Sequence, residues 1–320
     1  MSEKSLRHLV NVTDLNNDEI ERVYRAAAET KARVARGIHS DAFAGRVLGM
    51  IFEKPSMRTR MSFQAAMIQA GGQAMDIRGG EIGLGKRESV KDVANVMSRY
   101  VDAIMIRTFA HRNVELLARH AGVPVINGLS DAAHPCQALS DVFTVREKLC
   151  PSAEGLTELA GVTLAFVGDG NNVARSLAML CAKLGMTFVL SAPEGHELDD
   201  AFLRKVAEHV GEEPAIRQVR DPHEAVRDAR IIYTDVWASM GQEAEAEARR
   251  TTFRPYQVNG DLLAAAPADA LVMHCLPAHR GEEITDDVMD GERSIAYDQA
   301  ENRLHVQKAL LFFLLGVEAT

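Results

Sequence analysis

Ser56, Arg58, Thr59 and Arg60 fall within one five-residue run, Ser56-Met57-Arg58-Thr59-Arg60. The run follows an apolar stretch over 46–52 that reads as a strand. It opens a stretch over 58–70 that reads as a helix closed by Gly71-Gly72. Met57, Met61, Ala65 and Ile68 share one face of that helix. The first turn of a helix has unpaired N–H groups and a positive partial charge. Two hydroxyls and two guanidiniums at that point make a cradle for a phosphate. The same residues would also serve as a capped helix with solvated arginines. The glycine spacing and Lys-Ser/Thr ending of a P-loop are absent.

Further segments carry polar groups at the ends of predicted strands. Arg107-Thr108 ends a strand over 103–106, and His134-Pro135-Cys136-Gln137 opens a helix over 137–149. Arg107 supplies permanent charge, and His134 can donate in either protonation state. Both suit the oxygen of a carbonyl under attack, where fixed donors are worth roughly a few kcal/mol each. Alone, a histidine in such a place is more often an ordinary loop or cap residue. Gly168-Asp169-Gly170-Asn171-Asn172 follows a strand over 162–167. Val173 stands where a dinucleotide loop needs its third glycine, and the next strand ends in Ser191 instead of an acidic residue. A nicotinamide cofactor is therefore not expected. A Gly/Asn turn bonded to its own backbone fits the same residues.

Asp235-Val236-Trp237-Ala238-Ser239-Met240-Gly241 follows a strand over 229–233. Asp235 offers an anion to an ammonium group, and Ser239 with the Met240 backbone offers donors to a carboxylate. Gly241 can serve as a hinge. The bare residues also fit a solvated loop over a packed Trp. Cys275-Leu276-Pro277 ends a strand over 271–274, where a lone cysteine is usually inert core. Asp298 to Arg303 begins the last helix, and Arg303 would otherwise be a surface charge.

Taken in order, these segments resemble the aspartate and ornithine carbamoyltransferase family over essentially the whole chain. Residues 56–60 are similar to its Ser-Thr-Arg-Thr-Arg motif. Asp-Val-Trp-Ala-Ser-Met-Gly and His-Cys-Leu-Pro are similar to marks of the ornithine branch. The resemblance implies that carbamoyl phosphate binds at Ser56, Met57, Arg58, Thr59, Arg60, Arg107, His134, Gln137, Cys275, Leu276 and Arg303. Arg107 and His134 would polarise the carbonyl, and Gln137 would hold the amide. L-Ornithine would bind at Asn172, Asp235, Ser239 and Met240. Asp235 and Cys275 would steer its side-chain amine and relay a proton, so the implied catalytic set is Arg107, His134, Asp235 and Cys275. Direct transfer would give L-citrulline and phosphate, in arginine biosynthesis. No metal or organic cofactor is implied. A homotrimer, or a higher homo-oligomer of trimers, is expected. A loop around Gly83 and Lys86 would reach a neighbouring subunit. Met57 departs from the usual Thr but keeps the backbone N–H. Gly83 stands where many relatives carry Gln or His, leaving Lys86 or Arg87 to make that contact. An acylated ornithine or putrescine as acceptor, or an inactive binding subunit, are the competing expectations.

These groups need a scaffold that brings strand ends together. The first half reads as a helix over 16–36, with Ile20, Val23, Tyr24 and Ala27 on one face, and strands over 46–52, 73–77, 103–106 and 124–126. Helices near 89–99 and 113–121 lie between them. The second half reads as strands over 162–167, 187–190, 229–233, 271–274 and 294–297, with helices over 173–184, 198–210 and 299–315. This alternation predicts an α/β protein of two doubly wound domains, each with a central parallel sheet. Ligands then sit beyond the carboxyl ends of the strands, where every segment above falls. The boundary is expected near 150–158, where Pro, Ser and Gly gather. Domains of 1–150 for carbamoyl phosphate and 151–301 for ornithine follow, and the resemblance implies that a C-terminal helix over 302–320 returns to the first.

A chain of 320 residues predicts about two domains. With 47% hydrophobic and 25% charged residues, it is expected to fold rather than stay disordered. A net charge of −9 argues against nucleic acid or acidic membrane as a partner. No apolar run approaches the roughly 18 residues of a membrane span, and the start lacks the pattern of a signal peptide. Cys136, Cys150, Cys181 and Cys275 form no CxxC pair, no disulfide framework and no zinc spacing. A cytoplasmic setting is expected.

Overall fold

The computed structural model describes residues 6–152, 155–211, 213–238 and 245–318, and it divides into two compact units. The first holds Met1–Phe143 with Asn302–Thr320, and the second Thr144–Glu301. Each division falls inside a helix, Pro135–Leu149 and Ala296–Leu315. Among the described residues no helix is long and apolar enough to cross a membrane.

The first unit is built on four parallel strands in the order β2-β1-β3-β4. They are β1 (Val47–Phe52), β2 (Gln73–Arg78), β3 (Ala103–Arg107) and β4 (Val125–Leu129). Every residue of β3 is buried, and all of β1 but Val47. A parallel strand covered on both faces reads as an unbroken apolar run, which is why these were legible. The edge strand β2 is half-buried or exposed. Helix α1 (Asn17–Val34) is opened by a capping box in which Asn16 and Glu19 each accept from the other's backbone N–H at 2.9 Å. It buries Ile20, Val23, Tyr24 and Ala27, the face its spacing predicts. Helix α2 (Met57–Ile68) buries Thr59, Phe63, Ala66 and Met67. Its Met57, Met61 and Ile68 are 67%, 60% and 68% exposed, so that apolar stripe faces outward.

The second unit carries five parallel strands in the order β7-β6-β5-β8-β9. They are β5 (Thr163–Val167), β6 (Thr187–Ser191), β7 (Ile216–Val219), β8 (Ile231–Thr234) and β9 (Leu271–His274). Val167, Val189, Ile232, Val258, Val272 and Ile284 form part of its core. Two features differ from expectation. β7 is Ile-Arg-Gln-Val, an edge strand with no apolar run to betray it. Residues 294–297 are not a strand: Ser294 makes one bridge to Val272, and the last helix starts at Ala296. Ile295 and Ala296 are buried at that helix start, so their apolarity serves helix packing.

In both sheets the strand order reverses, between β1 and β3 and between β5 and β8. A crevice at the carboxyl ends is expected at such a point.

Candidate functional site

In the first unit, Ser56 is the N-cap of α2, and its Oγ accepts from Thr59 N at 3.3 Å. Thr59 is fully buried, and Arg303 Nη2 donates to its Oγ1 at 2.8 Å. The last helix thus sends a guanidinium to the first turn of α2. Arg107 is the last residue of β3. Arg107, His134 and Arg303 are all buried, and the two arginines act electrostatically on the histidine. Burial, then the charges of Arg303 and Arg107, hold the His134 imidazole well below its ordinary value of 6.5. It is therefore neutral near pH 7 and can donate a hydrogen bond without adding a third positive charge. Burial likewise pushes the neighbouring Cys136 thiol up to about 12, which leaves it inert. One turn on, Gln137 N donates to His134 O at 3.1 Å, and Gln137 Nε2 donates to Asp141 Oδ1 at 2.7 Å.

Arg58 is half-buried at the start of α2, and the Met57 side chain points outward. Arg60 is committed elsewhere: Nη2 pairs with Asp76 of β2 at 3.0 Å, and its guanidinium lies 5.3 Å from the Phe52 ring centroid. Gly83 ends the short helix Gly79–Ile82 at φ 63°, a left-handed conformation that suits glycine. Lys86 is exposed on the loop that follows. Sequence reasoning missed Glu53, which accepts from Thr108 Oγ1 and from Asn113 Nδ2 at 3.3 Å. These bonds brace the corner after Arg107. It also missed Lys54, buried with Nζ 4.3 Å from the Phe109 ring centroid.

The second unit gathers residues from the ends of β5, β8 and β9. Asp235 is 8% exposed and accepts on both oxygens. Oδ1 receives the Cys275 thiol at 3.0 Å and Val236 N at 2.8 Å, and Oδ2 receives Asn171 Nδ2 at 2.9 Å. Asn171 is also the N-cap of the helix Asn172–Lys183, its Oδ1 accepting from Val173 N and Ala174 N. The amide thus does what the bare turn predicts and holds Asp235 as well. Asn172 stands at the first position of that helix. A Cβ on Gly170 would meet Glu197 C and His196 O at 2.8 Å, so glycine lets the turn lie against that backbone. Ser239 and Met240 lie outside the described residues.

Cys275 follows β9 and is half-buried. Leu276 adopts φ 57°, and its N donates to His274 Nδ1 at 2.9 Å. His274 Nε2 then faces Glu283 Oε1 at 3.0 Å, with both side chains fully buried. Glu283 Oε1 also accepts from His279 N at 2.5 Å. No spacing rule pairs residues nine apart across a loop, so this support for the Cys275 turn was not legible. Arg249, which donates to Trp237 O and pairs with Asp169, was equally hidden. His279, Glu282 and Glu283 have donor atoms within 4.8 Å of one another. Glu282 is already paired with Arg250 at 3.0 Å, and Glu283 with His274, so their chemistry fits a hydrogen-bonded brace.

The first unit thus concentrates donors and cations around a neutral histidine, suited to a phosphate beside a carbonyl. The second couples a thiol to a carboxylate, suited to an ammonium group. Residues 7–147 match the carbamoyl-P binding domain of aspartate/ornithine carbamoyltransferases, and residues 160–314 match the Asp/Orn binding domain. An ornithine carbamoyltransferase of Methanopyrus kandleri is 54% identical over 98% of each chain. An anabolic ornithine carbamoyltransferase of Pyrococcus furiosus is 49% identical over 97% of this chain and 96% of its own. The solved structure of ornithine carbamoyltransferase from Pyrococcus furiosus superposes with a TM-score of 0.91, covering 97% of each chain. With both halves matched and relatives about half identical over nearly the whole chain, the chain belongs to the aspartate/ornithine carbamoyltransferase family.

Proposed function

We propose that the protein transfers the carbamoyl group of carbamoyl phosphate to the δ-amine of L-ornithine, giving L-citrulline and phosphate in arginine biosynthesis. The observation that carries this reading is the buried group of Arg107, Arg303 and neutral His134 beside the cap of α2. The phosphate sits on the N–H groups at the start of α2, with Ser56, Arg58 and Thr59 around it. Arg303, bonded to Thr59, neutralises its charge. Arg107 and His134 donate to the carbonyl oxygen, where negative charge develops as the amine adds. Gln137 takes the carbamoyl NH2.

The second unit prepares the acceptor. An ammonium near pH 7 must lose a proton before it can attack. Asp235 and Cys275, 3.0 Å apart, orient the amine and receive that proton. Asn172, with Ser239 and Met240, holds the amino-acid end. The nitrogen forms a bond to the carbamoyl carbon, and the bond from that carbon to the phosphate oxygen then breaks. Cys275 forms no covalent intermediate in this scheme.

Citrulline and phosphate formation, measured with ornithine, acetylornithine, succinylornithine and putrescine in turn, tests the assignment. Ornithine should be used best. A better rate with another amine would change the acceptor, and no phosphate release with any would refute the enzyme. The exposed apolar stripe of α2, Met57, Met61 and Ile68, together with Met75 of β2 at 56% exposure, supports a homo-oligomer, which we take to be a trimer. Light scattering should give three copies, and Met61→Glu with Ile68→Glu should dissociate them. The four free cysteines fit a reducing cytoplasm.

A further inference from the structure

We propose that Asp141 is a positioning residue that makes the first unit prefer a carbamoyl over an acyl phosphate, by locking the Gln137 amide in one orientation. The inference rests on the donor-binding role given above to that unit.

Gln137 and Asp141 lie one helical turn apart on Pro135–Leu149, and they are 1% and 0% exposed. Gln137 Nε2 donates to Asp141 Oδ1 at 2.7 Å. A primary amide presents two faces, an NH2 that donates and an oxygen that accepts, and it can turn over to suit a neighbour. A carboxylate only accepts. Turning the amide over would set oxygen against oxygen in a buried place and lose a charge-assisted bond. The NH2 therefore stays on Asp141, and Gln137 Oε1 remains an acceptor.

That polarity is opposite to the other groups assigned to this unit's ligand. Arg107, Arg303 and the start of α2 are cations or donors, suited to phosphate and carbonyl oxygens. Gln137 stands one helical turn after His134, its N donating to His134 O at 3.1 Å. A fixed acceptor there repels oxygen and calls for an N–H. Carbamoyl phosphate and acetyl phosphate share the phosphate and the carbonyl, and only the first carries an NH2 on the carbonyl carbon. A buried site built to bond a substrate N–H rejects the analogue that lacks it. Asp141 touches neither ligand in this scheme and acts through Gln137.

The test is Asp141→Asn in the full chain, which keeps the shape and lets residue 141 offer either polarity. Citrulline formation is followed with carbamoyl phosphate varied, acetyl phosphate is titrated as a competitive inhibitor, and melting is recorded. We expect kcat/KM for carbamoyl phosphate to fall about 10- to 100-fold while acetyl phosphate inhibition stays within about twofold. Gln137→Ala should collapse the same discrimination, and Asp141→Asn added to it should change the ratio less than about threefold. A structural role alone would weaken both ligands in parallel and lower the melting temperature. That outcome, or an unmoved ratio in either single variant, overturns the proposal. Asp141→Ser, which removes the carboxylate without adding an NH2, carries the same expected change in ratio if Asp141→Asn folds poorly. Wild-type protein that makes no citrulline defeats the functional reading, whereas active wild-type with an unmoved ratio defeats this inference alone.

Discussion

Replacing Asp235 by Asn tests the acceptor side with the smallest change of shape. Among the described residues, the three partners of Asp235 are donors: the Cys275 thiol and Val236 N on Oδ1, and Asn171 Nδ2 on Oδ2. An asparagine has one accepting oxygen and one donating NH2. With its oxygen toward Cys275 and Val236, the NH2 faces the NH2 of Asn171. Turned over, it keeps Asn171 and loses the other two. The first arrangement is the lesser loss, one bond to a buried charge, worth about 1.5–3 kcal/mol. Removing the carboxylate charge opposite the substrate ammonium costs about as much again. Together these predict a fall of about 100- to 10,000-fold in kcat/KM for ornithine. The residues assigned to carbamoyl phosphate in the first unit are untouched, so its binding should change less than about threefold. Initial rates with ornithine varied, and calorimetric titration of carbamoyl phosphate, measure the two effects separately. A loss of less than about threefold in kcat/KM for ornithine, or an equal loss for both ligands, would refute the reasoning.

Arg303→Gln removes the bond to Thr59 and one of the two charges that keep His134 neutral. Carbamoyl phosphate affinity should fall about 10- to 100-fold, and the His134 pKa should rise, as read by titration of its ring signals. In the wild type, folded His134 refuses a proton that the unfolded chain takes below 6.5, so its contribution to stability declines as pH falls through that value; a chemical-denaturation series over pH 5–8 checks the sign. Burial brings the Lys308 ammonium down to about 8 from 10.5. The folded state carries that penalty fully below pH 8 and sheds it between 8 and 10.5, where the unfolded chain holds more protons. Lys308→Met loses the bond to Gln69 but should still gain about 1–2 kcal/mol at pH 7, fading by pH 10.5, in urea unfolding. Gly170→Ala forces a Cβ against the backbone of 196–197 and should cost about 1–3 kcal/mol with a raised KM for ornithine, read by melting and by initial rates.

The strands that carry the site were legible because parallel strands covered on both faces show as apolar runs, as in β3, Ala-Ile-Met-Ile-Arg. The cap at Ser56 was legible because capping is local, reaching three residues to Thr59. β7 was not, because an edge strand needs no continuous apolar face. Asp141 was within reach, since residues four apart on a helix meet, and a buried Gln needs a partner. Asn171 was half legible: its capping role follows from the turn, and its bond to Asp235, 64 residues away, does not.

The sequence alone determined which residue types stand at strand ends, and hence what chemistry each segment is able to perform. It also determined α/β architecture, because hydrophobic periodicity is a local property of the chain. Tertiary structure decided which of those groups act together. It joined Arg303 to Thr59 across 244 residues, sent Arg60 to Asp76 instead, and set Cys275 against Asp235. It also decided charge state, since His134 is kept neutral by burial and by two arginines distant in the chain. Such effects depend on distance and desolvation in three dimensions, and neither is written in the spacing of residues.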